Sequence, residues 1–453
     1  MSLTGLSFVL IYFFCIFRAI KDKPIFGLYA YLLAFYAHPP AQWWGKTLPD
    51  LRWAFLAGIV TLLSVHYHVK KDKVRFFSVF ENKIFFVFAL YVVLQYFWAL
   101  SPNIHEEYMV LVIKFLLLIF IMQNAIQNEQ DLKGFIWVNL LGVCYYAYIG
   151  MFVQTSGRLE GVGTPGMESA NQLGQHMAVV LVFSAYLLFS NIGKKRILYI
   201  LLLAVAFNGV LLTESRGVLV GIILSGAVSI FLVPRNKLGQ FFRYALLAGL
   251  GASVLVGPQI IERFQSMVGE NDQQDKSAES RMVIINAQVD MFLDSPLLGY
   301  GHRGTLLLSP QYLPREYLTS TDGLGERRAS HNFLFALLVD HGLIGTALYL
   351  LVIFSCWRKV RYIHKTSKFH NDSAVQVSVL IGLGLALVCL MVAGMGSNNK
   401  KLEIDIWLYA LIPLVYGWII KARSLNNAEQ INGQDQASTE MNRSGESGVN
   451  RWK

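Results

Sequence analysis

Cysteine, charge and recognisable nucleotide or metal motifs are what this chain lacks, and each lack closes off a class of protein. Its four cysteines, Cys15, Cys144, Cys356 and Cys389, fall in or at the ends of apolar runs with no paired spacing. That pattern supports neither a disulfide framework nor a cysteine metal centre. Charged residues make up only 15% of the sequence and cluster between apolar runs rather than along amphipathic faces. No HExxH or Cys/His metal spacing occurs, no Walker-type phosphate loop and no GxSxG. No repeat of fixed period and no proline-rich or glycine-serine linker divides the chain, so one domain is the economical description.

What is abundant is apolar sequence: 54% of the 453 residues are hydrophobic. Apolar runs of membrane-crossing character cover 2–17, 25–38, 53–65, 84–100, 108–123, 134–153, 171–190, 196–213, 217–233, 241–258, 332–355, 374–396 and 404–420. Several are short for a hydrocarbon layer of about 30 Å, so the expectation is an all-α polytopic membrane protein of 12–13 transmembrane helices. The first run is followed by Arg18, Lys21 and Lys23 rather than by a small-residue cleavage site, and reads as a membrane anchor. With thirteen spans, one set of connections carries 25 Lys and Arg and the other 13, of which 7 lie in the long segment 259–331. The positive-inside rule then puts the first set in the cytoplasm and segment 259–331 outside. The same asymmetry accounts for the net charge of +10 without a nucleic-acid partner. The tail, 422–453, is rich in Asn, Gln, Ser and Glu and reads as a disordered cytoplasmic end.

Along the outer side, His38-Pro39-Pro40 leads to Trp43-Trp44, an aromatic interfacial anchor by composition. Lys114 lies within the fifth run, near enough to an end to snorkel or buried for a purpose. The glycine-rich stretch from Arg158 to Gly166 leads to Asn171 at the start of a helix; its glycines permit close approach to a ligand or simply make turns.

Three signals on that side could carry chemistry. Thr213-Glu214-Ser215-Arg216-Gly217 places Arg216 at a helix N-terminus, where free N–H groups already favour an anion; pairing with Glu214 or with lipid phosphate is the structural alternative. Ser280-Arg281 opens a stretch with apolar positions 282, 285, 289, 292 and 293, closed by Asp294-Ser295-Pro296, which predicts an interfacial helix with Arg281 at its start. Ser330-His331-Asn332 stands where the long segment re-enters the bilayer; with Ser330 as cap, His331 falls in the first helical turn, where the dipole keeps the ring neutral. A lone interfacial histidine is also a common anchor. Together, two arginines can hold a diphosphate leaving group while a neutral histidine deprotonates an attacking hydroxyl. Acid pairs for glycoside hydrolysis stay open, since Glu279, Glu316, Asp322 and Glu326 are all in the long segment and nothing singles two out.

The same residues resemble the O-antigen ligase and polymerase superfamily of bacterial membrane glycosyltransferases. The resemblance rests on Ser215-Arg216-Gly217, on Arg281 running to Pro296-Leu297-Leu298-Gly299-Tyr300-Gly301, on His331-Asn332 followed by Gly342-Leu343-Ile344-Gly345, and on the Arg158 to Asn171 loop. The first 130 residues look like the branch of O-glycosylation ligases associated with exosortase A systems. The resemblance implies an inverting, metal-independent transferase without cofactor, at the periplasmic face of the inner membrane. Its donor would be an undecaprenyl-diphosphate-linked glycan and its acceptor a glycan, lipid or protein hydroxyl. Arg216 and Arg281 would bind the diphosphate and His331 would be the base, with Arg158, Asn171, Ser215, Asn332, His302 and Arg303 as accessory candidates. A ligase-like core over 155–400 is expected. A repeat-unit polymerase differs only in acceptor; a small-solute transporter of bicarbonate type would instead need mid-membrane ionisable residues and matched broken helices.

Overall fold

The computed structural model describes residues 2–69, 74–154, 157–190, 193–233, 237–255, 272–321, 325–367, 370, 372–398 and 401–449, with backbone alone for 252–255, 272–279, 281, 320, 321 and 428–449. A helix stands at each of the thirteen expected runs. They are α1 (Leu3–Lys21), α2 (Ile25–Ala37), α3 (Trp53–His68), α4 (Phe80–Gln95), α5 (Pro102–Ala125), α6 (Glu129–Tyr148), α7 (Ala170–Ala185), α8 (Arg196–Leu212), α9 (Arg216–Leu232) and α10 (Leu238–Leu255). After the long polar segment, with α11 (Asp272–Asp294) and α12 (Gly304–Tyr312), come α13 (Phe333–Thr366), α14 (Ala374–Gly394) and α15 (Glu403–Val449). Eight helices among the described residues are long and apolar enough to cross a membrane, and this is an all-α multi-pass membrane protein. Among the described residues one small hairpin, β1 (Thr319–Thr321) with β2 (Gly325–Arg327), pairs Thr319 with Arg327 and Ser320 with Glu326.

Local chemistry sets the helix starts. Ser2 and Asn128 cap α1 and α6 through their side chains, and Ser169 and Gln172 form a reciprocal capping box on α7. The centre of the bundle is α14, 83% buried, against 22% for the peripheral α1. Glycines allow this density: a side chain at Gly221 of α9 would collide with the Cys389 carbonyl of α14.

Three expectations need correction. The polar residues 272–279 are helical, so α11 begins well before Arg281, which lies inside the helix rather than at its start. Its Gln, Lys, Ala and Glu are good helix formers, which the apolar pattern alone did not register. Moreover α11 buries Ile284, Ala287 and Met291 against the protein, while Met282, Val289 and Leu293 face outward. The Arg281 side chain lies outside the described residues. Second, Trp44 is buried against Phe8, ring centroids 5.4 Å apart, and only Trp43 is exposed as an anchor would be. Third, α15 continues as helix through Val449, across most of the tail expected to be disordered; no proline follows Pro413 to stop it.

Candidate functional site

The site is built on a break in α13. Gly342 has φ 60° and ψ −168°, so the helix is two segments joined at that residue. Only glycine adopts this conformation without strain. A break inside a helix frees backbone groups that need partners elsewhere. The turn after α11 takes them up: Tyr300 and Gly301 donate their N–H groups to the Val339 and Asp340 carbonyls at 3.0 and 2.8 Å, and Leu343 N–H donates to the Pro296 carbonyl at 2.8 Å. Helix α4 completes the set. The Gln95 amide donates to the Asp340 and Leu298 carbonyls, each at 2.7 Å, and Tyr91 Oη lies 2.9 Å from the His341 carbonyl. A Cβ at Gly299 would overlap the Gly342 nitrogen, and one at Gly342 the Leu297 carbonyl. Backbone therefore meets backbone, which is the structural content of the Pro-x-x-Gly-x-Gly and Gly-x-x-Gly patterns.

This docking seats His302 and Arg303. The His302 ring is buried and stacked on Tyr108, centroids 4.4 Å apart, with Nδ1 3.8 Å from Asp340 Oδ2. His302 N–H donates to His105 Nδ1 at 3.0 Å, so Nε2 of His105 carries the proton that goes to the Val92 carbonyl. The Asp340 carboxylate also accepts the Arg303 backbone N–H at 3.1 Å, which holds Arg303 in a left-handed conformation at the start of α12.

His331 stands exposed at the top of α13, one residue before the cap. Here the expectation is corrected: Asn332, not Ser330, caps the helix, its Oδ1 accepting from Leu334 and Phe335 N–H at 2.9 and 3.2 Å. Ser330 closes the preceding turn, accepting from Asn332 N–H and from Gln288 of α11. Asn332 Nδ2 donates to the Met395 carbonyl at 3.2 Å, which ties the top of α13 to the turn after α14.

Around His331 opens a cleft of about 470 Å³. Its walls come from the start of α7 (Glu168, Gln172), from α12 (His302, Arg303), from the exit of the hairpin (Arg328, Ser330) and from the α14–α15 turn (Ser397, Asn398, Lys401). Burial and the neighbouring Arg303 push the Lys401 ammonium down from its ordinary range, against the pull of Glu107 and Glu168.

A second cluster lies at the starts of α7 and α9. Arg158 donates through Nε to the Thr213 carbonyl and through Nη2 to Asn171 Oδ1, both at 3.1 Å. Asn171 Oδ1 also accepts from Ser215 Oγ at 2.8 Å. Arg158, Asn171 and Ser215 are thus brought together as one knot joining the glycine-rich loop to two helix starts. Arg216 is the first residue of α9, where the sequence put it, and it does not line the cleft. The adjacent Gly217 faces the α14–α15 turn, an added Cβ lying 3.5 Å from the Ala393 carbonyl. That turn continues into Ser397 and Asn398 of the cleft.

Sequence reasoning thus anticipated His331, His302 and Arg303 of the cleft and missed Asp340, Arg328 and Lys401. Asp340 had a signal, a lone acid in an apolar run directly before His341-Gly342. Lys401 had none, since only tertiary packing brings its turn to the site.

Comparison with known families matches residues 198–350 to the family described as O-antigen ligase. The match spans about a third of the chain, from α8 into α13, and includes Arg216, Arg281, His331 and the helix break. No curated protein matches the chain.

Proposed function

We propose, from the match of residues 198–350 to the O-antigen ligase family in a multi-pass membrane protein, that the chain transfers a saccharide from undecaprenyl diphosphate to an acceptor hydroxyl, at the periplasmic face of the bacterial inner membrane. The observation that carries this reading is the exposed His331 set in a polar, cation-lined cleft at the re-entry of the long segment. The His331 imidazole takes the proton of the acceptor hydroxyl as its oxygen attacks the anomeric carbon. The bond from that carbon to the diphosphate oxygen breaks, its electron pair leaves with the diphosphate, and configuration inverts. Arg216 and Arg281 are assigned to the departing diphosphate, which forked guanidinium donors suit. The mechanism needs no metal. Arg158, Asn171 and Ser215 are assigned to holding the start of α9, and so Arg216, in place. The ligase core is taken as 155–400, with the extramembrane segment 259–331 as its working part. A repeat-unit polymerase would use the same machinery on a different acceptor.

The break at Gly342 and the buried Asp405 and His341 favour a second reading, solute transport, since discontinuous helices and buried ionisable groups mark many transporters. Against it, the backbone groups at the break are taken up by Tyr91, Gln95 and the 296–301 turn rather than presented to a cavity.

The test is transfer in proteoliposomes from a purified undecaprenyl-diphosphate glycan, wild type against His331→Ala, with donor binding measured in parallel. Retained binding with lost turnover is expected. Equal turnover removes His331 from the mechanism, and solute uptake without transfer puts transport first.

A further inference from the structure

The cations of the cleft exceed what its acids engage. Arg303, Arg328 and Lys401 come from three different elements and line one space. None of the three forms an ion pair among the described residues. Of the two acids lining the cleft, Asp340 accepts the Arg303 backbone N–H and faces His302 Nδ1 at 3.8 Å, and Glu168 accepts the Gly166 N–H. Arg328 lines the cleft while its Nε is buried, with no hydrogen-bond partner for that atom among the described residues. Lys401 is crowded by Arg303, and an anion between them relieves both.

The rest of the lining says what kind of anion. Thr305, Thr319, Ser397 and Asn398 add hydroxyl and amide groups to the walls. These pair with sugar hydroxyls, donor for acceptor, as a bare phosphate site does not require. No Trp, Tyr or Phe lines the cleft among the described residues, so the stacking platform a neutral sugar ring would use on its C–H face is missing. A volume of about 470 Å³ is also several times that of a diphosphate, leaving room for sugar rings. We propose that this cleft binds a negatively charged saccharide, one bearing a carboxylate, with Arg303, Arg328 and Lys401 grouped on the acid function and the hydroxyl and amide side chains on the ring. Under the ligase reading, on which the identity of this saccharide as substrate rests, the glycan next to His331 is acidic.

The experiment uses the full chain in phosphatidylcholine nanodiscs and measures binding of trigalacturonate, of trigalactose as its neutral counterpart, and of inorganic pyrophosphate. Trigalacturonate is expected to bind at least about tenfold more tightly than trigalactose and to weaken with added salt. Arg328→Gln and Lys401→Gln are each expected to lower trigalacturonate affinity about tenfold, with thermal midpoints within a few degrees of wild type. Equal binding of the two saccharides, binding of neither, or unchanged affinity in both variants overturns the proposal. Displacement of trigalacturonate by stoichiometric pyrophosphate also overturns it, by assigning the cations to the diphosphate. The ligase reading fails separately: selective trigalacturonate binding with no transfer from any polyprenyl-diphosphate donor sinks that reading and leaves the acidic-saccharide site standing.

Discussion

Arg158 and Arg328 sit at two corners of the same region and behave oppositely. Arg158 is engaged on two sides, at the Thr213 carbonyl and Asn171 Oδ1, and the loop it anchors is fixed by it. Arg328 has its backbone N–H on Ser309 Oγ, and its guanidinium forms no ion pair among the described residues. The first arginine satisfies the protein's own carbonyls; the second is held in position on the wall of the cleft. The knot is therefore scaffold and the cleft is receptive, although both are arginine-bearing and polar in sequence.

The largest effect that would break this contrast lies at His331, which serves the chemistry in the proposed mechanism and stands exposed at the cleft. His331→Ala is expected to lower transfer by about 10²–10⁴-fold, the usual worth of a positioned general base, without moving the thermal midpoint. A matching fall in stability would make His331 scaffold too. Next comes the joint beneath the cleft: Gly342→Ala forces a side chain into left-handed backbone and onto the Leu297 carbonyl. A loss of about 2–4 kcal/mol in chemical unfolding is expected, while a Gly342→Ala protein as stable as wild type would mean that the break relaxes into helix.

Arg158→Ala is expected to cost about 1–3 kcal/mol, because Asn171 Oδ1 and the Thr213 carbonyl each lose a donor. Its activity should fall only as far as its stability does, and combining it with Asn171→Ala should cost less than the sum. Full stability with lost donor binding would instead move Arg158 into the receptive group. The smallest effect concerns Lys401. Its folded-state pKa lies below the ordinary 10.5, so carrying the charge disfavours the folded state at neutral pH. That penalty is full below the folded pKa and fades as pH rises between the two values. Lys401→Gln is therefore expected to raise the thermal midpoint slightly at pH 7 and to lose that advantage above pH 10.5. An advantage that grew with pH would reverse the sign of the argument.

How much of this was legible in the sequence differs by level. All thirteen apolar helices were, because a bilayer demands runs of nearly fixed length and the polar connections punctuate them. Position within the turns was legible where a local motif fixes it, as at Arg216, which opens α9. It failed where two neighbours compete for one role: Ser330 and Asn332 are both good caps, and only the geometry of the preceding turn shows that Ser330 is used on Gln288 and Asn332 N–H. Arg281 was misjudged because a polar extension of a helix has no apolar period to reveal it. The cleft itself was half legible. His302, Arg303 and His331 lie in the segment the sequence marks as exceptional, but Gln172 and Lys401 reach it from residues more than 60 positions away on either side.

The interlock of the 296–301 turn with the break at Gly342 has a consequence for engineering. Because Gly299 and Gly342 meet backbone to backbone and exchange hydrogen bonds with the residues around them, the loop and the upper part of α13 form one cassette. Grafting the long segment from a similar chain would leave that cassette cut through its hinge. A transplant extended past residue 344, and matched at Tyr91 and Gln95 of α4, would carry the joint across whole.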